Sequence, residues 1–200
     1  MSKTLRVIAL LLATGIAGMA QAQEDGAATE AEPEADAGGL SMGEEATPLV
    51  GDTYRASTHG AWQINCVKTE EEKDPCQMYQ LIKDPQGNPV AELTVFDVPN
   101  GAQAVAGATV VSPLGTLLTT QMTLAIGDGQ GKRYPFSWCD QAGCVSRLGL
   151  TGAELLALQN GTSATVTIRS IQAPDQKINL DVSLEGFTAA FKEIQVPNTQ

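Results

Sequence analysis

The dominant pattern along this chain has a period of two. Trp62-Gln63-Ile64-Asn65-Cys66 alternates apolar and polar side chains, and Ile178, Leu180, Val182 and Leu184 alternate with Asn179, Asp181 and Ser183. Successive side chains of a strand point to opposite faces, so this alternation predicts strands with one buried and one wet face. Thr165-Val166-Thr167-Ile168 adds a β-branched run, and residues 90–96 and 121–126 predict two further strands. Turn chemistry separates these runs at Asp84-Pro85-Gln86-Gly87-Asn88-Pro89, Pro99-Asn100-Gly101, Gly127-Asp128-Gly129 and Gln141-Ala142-Gly143. The expectation is an all-β fold, an antiparallel sandwich or barrel.

One or two short helices interrupt it. Thr151 is placed to cap the first, with Glu154 three positions on as its reciprocal partner and Gly161 as the stop. Leu155, Leu156 and Leu158 would supply its apolar face. A second helical turn is predicted over Thr188–Ile194.

The N-terminal 52 residues stand outside this pattern. Lys3 and Arg6 precede an uncharged, mostly apolar run from Val7 to Ala20, and Ala20-Gln21-Ala22 is a small-residue cleavage signature. Residues 1–22 therefore read as a secretory signal peptide cut after Ala22. The run is too short for a confident membrane span, and no later segment is apolar enough to cross a bilayer. Residues 23–52 are rich in Ala, Glu, Gly, Asp, Pro and Thr and hold no aromatic residue. Such a segment buries too little apolar surface to offset its ordering entropy, so a disordered acidic leader is expected. All nine aromatic residues lie beyond it, which sets the folded domain at 53–195 and a flexible tail at 196–200.

The full chain has a formal net charge of −11, and both bases of the signal peptide leave with it. A chain this acidic is repelled by phosphate backbones and by anionic membrane surfaces, so no nucleic-acid partner is expected.

Cys66, Cys76, Cys139 and Cys144 are the only cysteines. An even count in an exported chain predicts disulfides. A zinc site would need closely spaced ligand pairs, and the only histidine is His59, so no metal and no cofactor is expected. Three connectivities are open. The local one, Cys66–Cys76 with Cys139–Cys144, is favoured because each pair brackets a turn. Closing such loops stabilises by about 2–3 kcal/mol each.

Catalytic signatures are missing. His59 has no sequence context of a nucleophile–base pair, and no G-x-S-x-G, H-E-x-x-H or Walker loop occurs. Glu70-Glu71-Glu72 reads as a solvated loop run. No enzymatic activity is expected. Two other segments carry candidate surfaces. In Lys132-Arg133-Tyr134-Pro135-Phe136-Ser137-Trp138-Cys139, alternation would set Tyr134, Phe136 and Trp138 on one face. They form either a core strand, with Trp138 packed on the disulfide, or an exposed patch with Lys132 and Arg133, side-chain types common in binding hot spots. Pro113-Leu114-Gly115-Thr116-Leu117-Leu118 is either a buried crossing loop, which is favoured, or an exposed apolar ridge.

Several of these stretches resemble the invasion-associated locus B family. They are Trp62–Cys66 followed by Pro75-Cys76-Gln77-Met78, then Ser112–Leu118, then Arg133–Cys139 through Gly143-Cys144, and last Leu184-Glu185-Gly186-Phe187-Thr188-Ala189-Ala190. The resemblance runs from about Gly60 to Ile194. It implies an immunoglobulin-like antiparallel sandwich in an exported alphaproteobacterial protein, and a role connected with host-cell entry. It carries over no catalytic or ligand-binding residue, and the long acidic leader is not part of the family pattern. The expected function is a periplasmic or secreted, non-catalytic module that binds a protein partner. The alternative is an envelope or stress protein that binds a small ligand or inhibits an enzyme.

The mature protein recovered from the periplasm or medium should begin at Gln23 and react with no thiol reagent until reduced. N-terminal sequencing and intact-mass measurement check both, and free thiols in the native protein would contradict the second.

Overall fold

Eleven strands follow from this patterning. They are β1 (Thr53–His59), β2 (Trp62–Val67), β3 (Cys76–Lys83), β4 (Pro89–Asp97), β5 (Ala106–Ser112), β6 (Met122–Ile126), β7 (Lys132–Tyr134), β8 (Phe136–Cys139), β9 (Cys144–Leu150), β10 (Ser163–Ser170) and β11 (Ala173–Ser183). The computed structural model describes residues 43–99 and 103–195. The predicted signal peptide, the leader up to residue 42, the tail 196–200 and two residues of the Pro99-Asn100-Gly101 turn lie outside them.

The strands form two antiparallel sheets. One has seven strands in the order β1-β2-β3-β4-β5-β9-β8, and the other has four in the order β11-β10-β6-β7. Each buries one face. Trp62, Ile64, Met78, Ile82, Leu93, Val95, Val110, Leu148 and Leu150 come from the larger sheet, and Met122, Leu124, Val166, Ile168, Leu180 and Val182 from the smaller. The expected all-β sandwich with one or two short helices forms, and the described residues hold both α-helices.

The two helices pack against each other, with the Thr188 hydroxyl of the second donating to the Gln159 carbonyl of the first at 2.9 Å. α1 (Gly152–Asn160) has the predicted capping box: the Glu154 amide donates to the Thr151 side chain, and the Glu154 carboxylate accepts from the Thr151 amide. Its apolar face is narrower than expected, because Leu158 is buried and Leu155 partly so while Leu156 is exposed. α2 (Phe187–Ile194) buries Phe187, Ala190, Phe191 and Ile194. Phe187 meets Trp62 edge-on at 5.3 Å between ring centroids, a favoured aromatic geometry. Gly186 enters α2 at φ 81°, where a Cβ would stand 2.2 Å from the His59 carbonyl oxygen. Only glycine admits that approach.

Both disulfides take the local pairing, Cys66–Cys76 and Cys139–Cys144. Each joins directly opposed residues of one hairpin, β2–β3 and β8–β9. Both therefore lie within the larger sheet, and neither spans the sandwich as the immunoglobulin bridge does. A buried amide makes the link between sheets instead. Gln80 of β3 donates from Nε2 to the Ser183 carbonyl at 2.8 Å and accepts from the Ser183 amide at 2.9 Å. Trp62 Nε1 donates to the same carbonyl at 3.0 Å. Ser183 ends β11, an edge strand, so these bonds also cover backbone groups that an edge leaves open.

The end of the expected leader is more ordered than its composition implies. Residues 49–52 form a turn in which the Gly51 amide donates to the Lys68 carbonyl and the Lys68 amide to the Asp52 carbonyl. Backbone pairing with a folded neighbour supplies what apolar burial does not.

Gln80→Met keeps the volume but removes both bonds to Ser183. It should cost about 1–3 kcal/mol, since it leaves a buried backbone group unpaired. The urea midpoint should fall with an unchanged slope; an unchanged midpoint would show that the amide adds nothing.

Candidate functional site

The segment singled out in the sequence, Lys132 to Trp138, is a corner at which the chain changes sheets. β7 is the edge of the four-stranded sheet and β8 the edge of the seven-stranded one, with Pro135 between them. Proline has no N–H to donate to a ladder, so neither sheet continues through it. The corner divides the predicted surface. Lys132 forms an ion pair with Glu154 of α1 at 2.7 Å, and the Tyr134 hydroxyl reaches the same carboxylate at 3.4 Å. Burial opposes ionisation of Glu154, but hydrogen bonds from Lys132 and Thr151 hold its carboxyl below the usual range. Burial and the Glu154 charge push the Tyr134 phenol up. Arg133 points to the opposite face of β7 and lines a separate cleft.

The three aromatic residues do not share one face, contrary to strict alternation. Phe136 pairs with Ser146, but Trp138 pairs with Val145, and the register shifts between them. A bulge of one residue moves every later side chain to the other face. Tyr134 and Phe136 thus pack against the core while Trp138 stands 48% exposed, its Nε1 donating to Asp140 at 3.3 Å. Both sequence readings hold in part: the near half is a core strand and the far half an exposed aromatic.

Residues 113–118 cross between the sheets, but the favoured buried loop holds only for Thr116, and most of the segment is exposed. Thr116 is the anchor: it is buried, its hydroxyl donates to the Pro113 carbonyl at 2.7 Å, and it bridges to Ser170. Leu114 is 60% exposed and Leu118 43%. Backbone bonds between this loop and 169–171 fix it on the β10–β11 hairpin, where Ile171 is also exposed. Gly115, at φ 88°, turns the chain so that its leucines face out.

His59 is not beside a nucleophile. Its Nε2 meets Glu193 Oε2 at 2.5 Å, and Ser57 donates to the other oxygen of that carboxylate at 2.7 Å. The carboxylate thus lies between serine and imidazole, so the Ser57 hydroxyl is hydrogen-bonded to Glu193 and not to His59. The hydrogen bonds from His59 and Ser57 hold the Glu193 carboxyl below its usual range. Among the described residues, no group of three or more His, Cys, Asp or Glu is placed to hold a metal ion, and no helix is long and apolar enough to cross a membrane.

Several clefts open among the described residues, including two with basic side chains in their lining. One of about 540 Å³ lies beside the Cys66–Cys76 bridge and includes Asp74, Phe96 and Ile194. Asp74 organises its rim, accepting from the Tyr54 hydroxyl at 2.7 Å, the Thr69 amide at 2.8 Å and Lys68 Nζ at 3.2 Å. These donors, Tyr54 foremost, hold its carboxyl far below the ordinary range. The other cleft, of about 460 Å³, lies on the outer face of the four-stranded sheet and is lined by Arg133, Arg169 and Lys177. Sequence reasoning found only Arg133 of these three. Arg169 and Lys177 occupy the polar phase of their strands, but strand order is needed to know that they meet.

Fold and surface together define a hairpin-stapled, all-β protein with solvent-facing clefts. The chain belongs to the invasion-associated locus B family: the family described as "Invasion associated locus B (IalB) protein" matches residues 62–195. An invasion protein B homolog of Brucella abortus (strain 2308) is 27% identical over 138 residues, covering 69% of this chain and 78% of that protein. A homolog from Brucella abortus biovar 1 matches to the same extent. The crystal structure of invasion associated protein B from Bartonella henselae superposes with a TM-score of 0.59. It is 24% identical and covers 69% of this chain and 94% of that one, a likeness of fold.

Asp74 also sets a pH dependence. Its folded-state pKa is depressed, so the stability it confers is present above the unfolded value near ~4 and fades as pH falls below it. Asp74→Asn should therefore melt several degrees lower than the wild type at pH 7, with the gap narrowing toward pH 2. Melting curves across that range test this; a gap independent of pH would assign the loss to packing.

Proposed function

We propose that this chain is an exported, non-catalytic binding protein that meets a protein partner through the corner at β7–β8. Export rests on the apolar run and the Ala20-Gln21-Ala22 signature, together with two disulfides that an oxidising compartment would preserve. On this reading, residues 1–22 are removed, 23–52 form an acidic leader and 53–195 the binding domain. The observation that carries the binding reading is Trp138. An indole half in solvent, on the rim of a folded sheet and locked by a hairpin disulfide, is a preorganised anchor of the kind that dominates interfaces. The exposed ridge of Leu114, Leu118 and Ile171 offers further apolar surface. The relatives are named for invasion, and contact with a host cell is the use assigned here to this surface.

Small-ligand binding is the second reading. What favours it is the polar cleft of about 460 Å³, a size within the range of ligand sites.

Capture from periplasmic and host-cell extracts, with residues 23–200 and 53–200 as baits, tests the first reading. A specific partner should be recovered, and Trp138→Ala should reduce its recovery about tenfold or more, the effect of losing a hot-spot aromatic. Equal recovery by the variant would sink the assignment of the surface.

A further inference from the structure

We propose that the outer face of the β11-β10-β6-β7 sheet holds a binding site for a phosphate group, with Arg133, Arg169 and Lys177 as its cationic ligands.

Sheet register brings these residues together. Arg133 pairs with Thr123, Thr123 with Thr167, and Thr167 with Asn179, so one row of side chains crosses all four strands. The neighbouring row, Leu124, Val166 and Leu180, belongs to the core, which sets the Arg133 row on the outer face. Two positions further along β10 and β11, on the same face, stand Arg169 and Lys177, and Gln121 immediately precedes β6. All three line the same cleft of about 460 Å³ as Arg133, Thr123 and Thr167.

Charge gives the cleft its selectivity. The chain has 23 acidic residues against 12 basic ones, yet three of those bases line this cleft and no Asp or Glu does. Among the described residues none of the three forms an ion pair, whereas Lys68 and Lys132 both do. Gathering like charges on one sheet face is unfavourable unless an anion lies among them. Three cations suit a dianionic phosphate better than a single carboxylate. The planar guanidinium of arginine can engage two phosphate oxygens at once.

The walls are preset. Arg169 donates from Nη1 to the Pro174 carbonyl at 2.6 Å, which anchors one guanidinium. Gln121 has φ 58°, the one non-glycine with positive φ among the described residues. A Cβ on Gly131 would stand 2.5 Å from Thr123 Cγ2, so glycine there keeps the floor open. Lys132, Tyr134, Phe136 and Trp138 are not among the cleft residues. The site shares only Arg133 with the protein-binding surface and does not depend on that surface.

The test uses the mature protein, the double variant R169Q/K177Q and the control K192Q, whose exposed lysine lies on α2. Binding of inorganic phosphate is followed by calorimetry, and binding to vesicles of phosphatidylcholine with or without phosphatidic acid, a phosphomonoester lipid, by co-sedimentation. Melting temperature verifies that each variant is folded. Saturable binding by the wild type and by K192Q, weakened at least tenfold in R169Q/K177Q, is the expected result. Capture by the phosphatidic acid vesicles would identify a lipid headgroup as the source, and binding of inorganic phosphate alone a soluble one. Binding of neither probe, binding that survives in R169Q/K177Q, or equal affinity for acetate would overturn the proposal. Because Trp138 is intact in every variant, loss here leaves the protein-partner reading untouched.

Discussion

The contact between the two sheets is the constraint on which the rest of this structure depends. Both covalent cross-links lie within the larger sheet, so apolar packing and one polar clasp must hold the smaller one. Gln80 is 6% exposed and presents an amide that mimics a neighbouring strand to Ser183, while Trp62 adds a third bond to the same residue. A buried amide is tolerable only when satisfied, and here its satisfaction also specifies how the sheets align. Trp62 then carries that alignment into α2 through its contact with Phe187.

The opposite side of the sandwich is closed differently. There the chain itself passes from one sheet to the other at Pro135, and again through residues 113–118. A corner strand cannot keep all its side chains on one face, since each part serves a different sheet. This is why Lys132 and Tyr134 turn to the first turn of α1, Arg133 faces the outer cleft, and Trp138 projects beside the Cys139–Cys144 hairpin. The same economy of edges leaves Leu114, Leu118 and Ile171 in solvent, because the crossing loop is anchored by Thr116 and its backbone rather than by its apolar groups.

These features leave the sandwich with separate exposed faces, and the proposed binding role rests on them. Rigid aromatic anchors lose little entropy on association. His59 and Ser57 are both engaged by Glu193. Membership of the invasion-associated locus B family agrees with this picture without supplying a ligand.

Local chemistry was legible in the sequence. Period-two alternation at Trp62–Cys66 and 180–184, the Thr151/Glu154 capping box, the Gly161 stop and the bracketing cysteine pairs each act over a few residues and form as read, whereas Ile178, at the start of the second run, is exposed. What tertiary structure decided was anything that depends on which strands become neighbours. The one-residue bulge that exposes Trp138, the exposure of Leu114, the clasp from Gln80 to Ser183, and the meeting of Arg133 with Arg169 and Lys177 all involve such pairings. A strand's alternation shows that a residue faces out of the core. Only the order and register of the sheet determine which side chains share that outer surface.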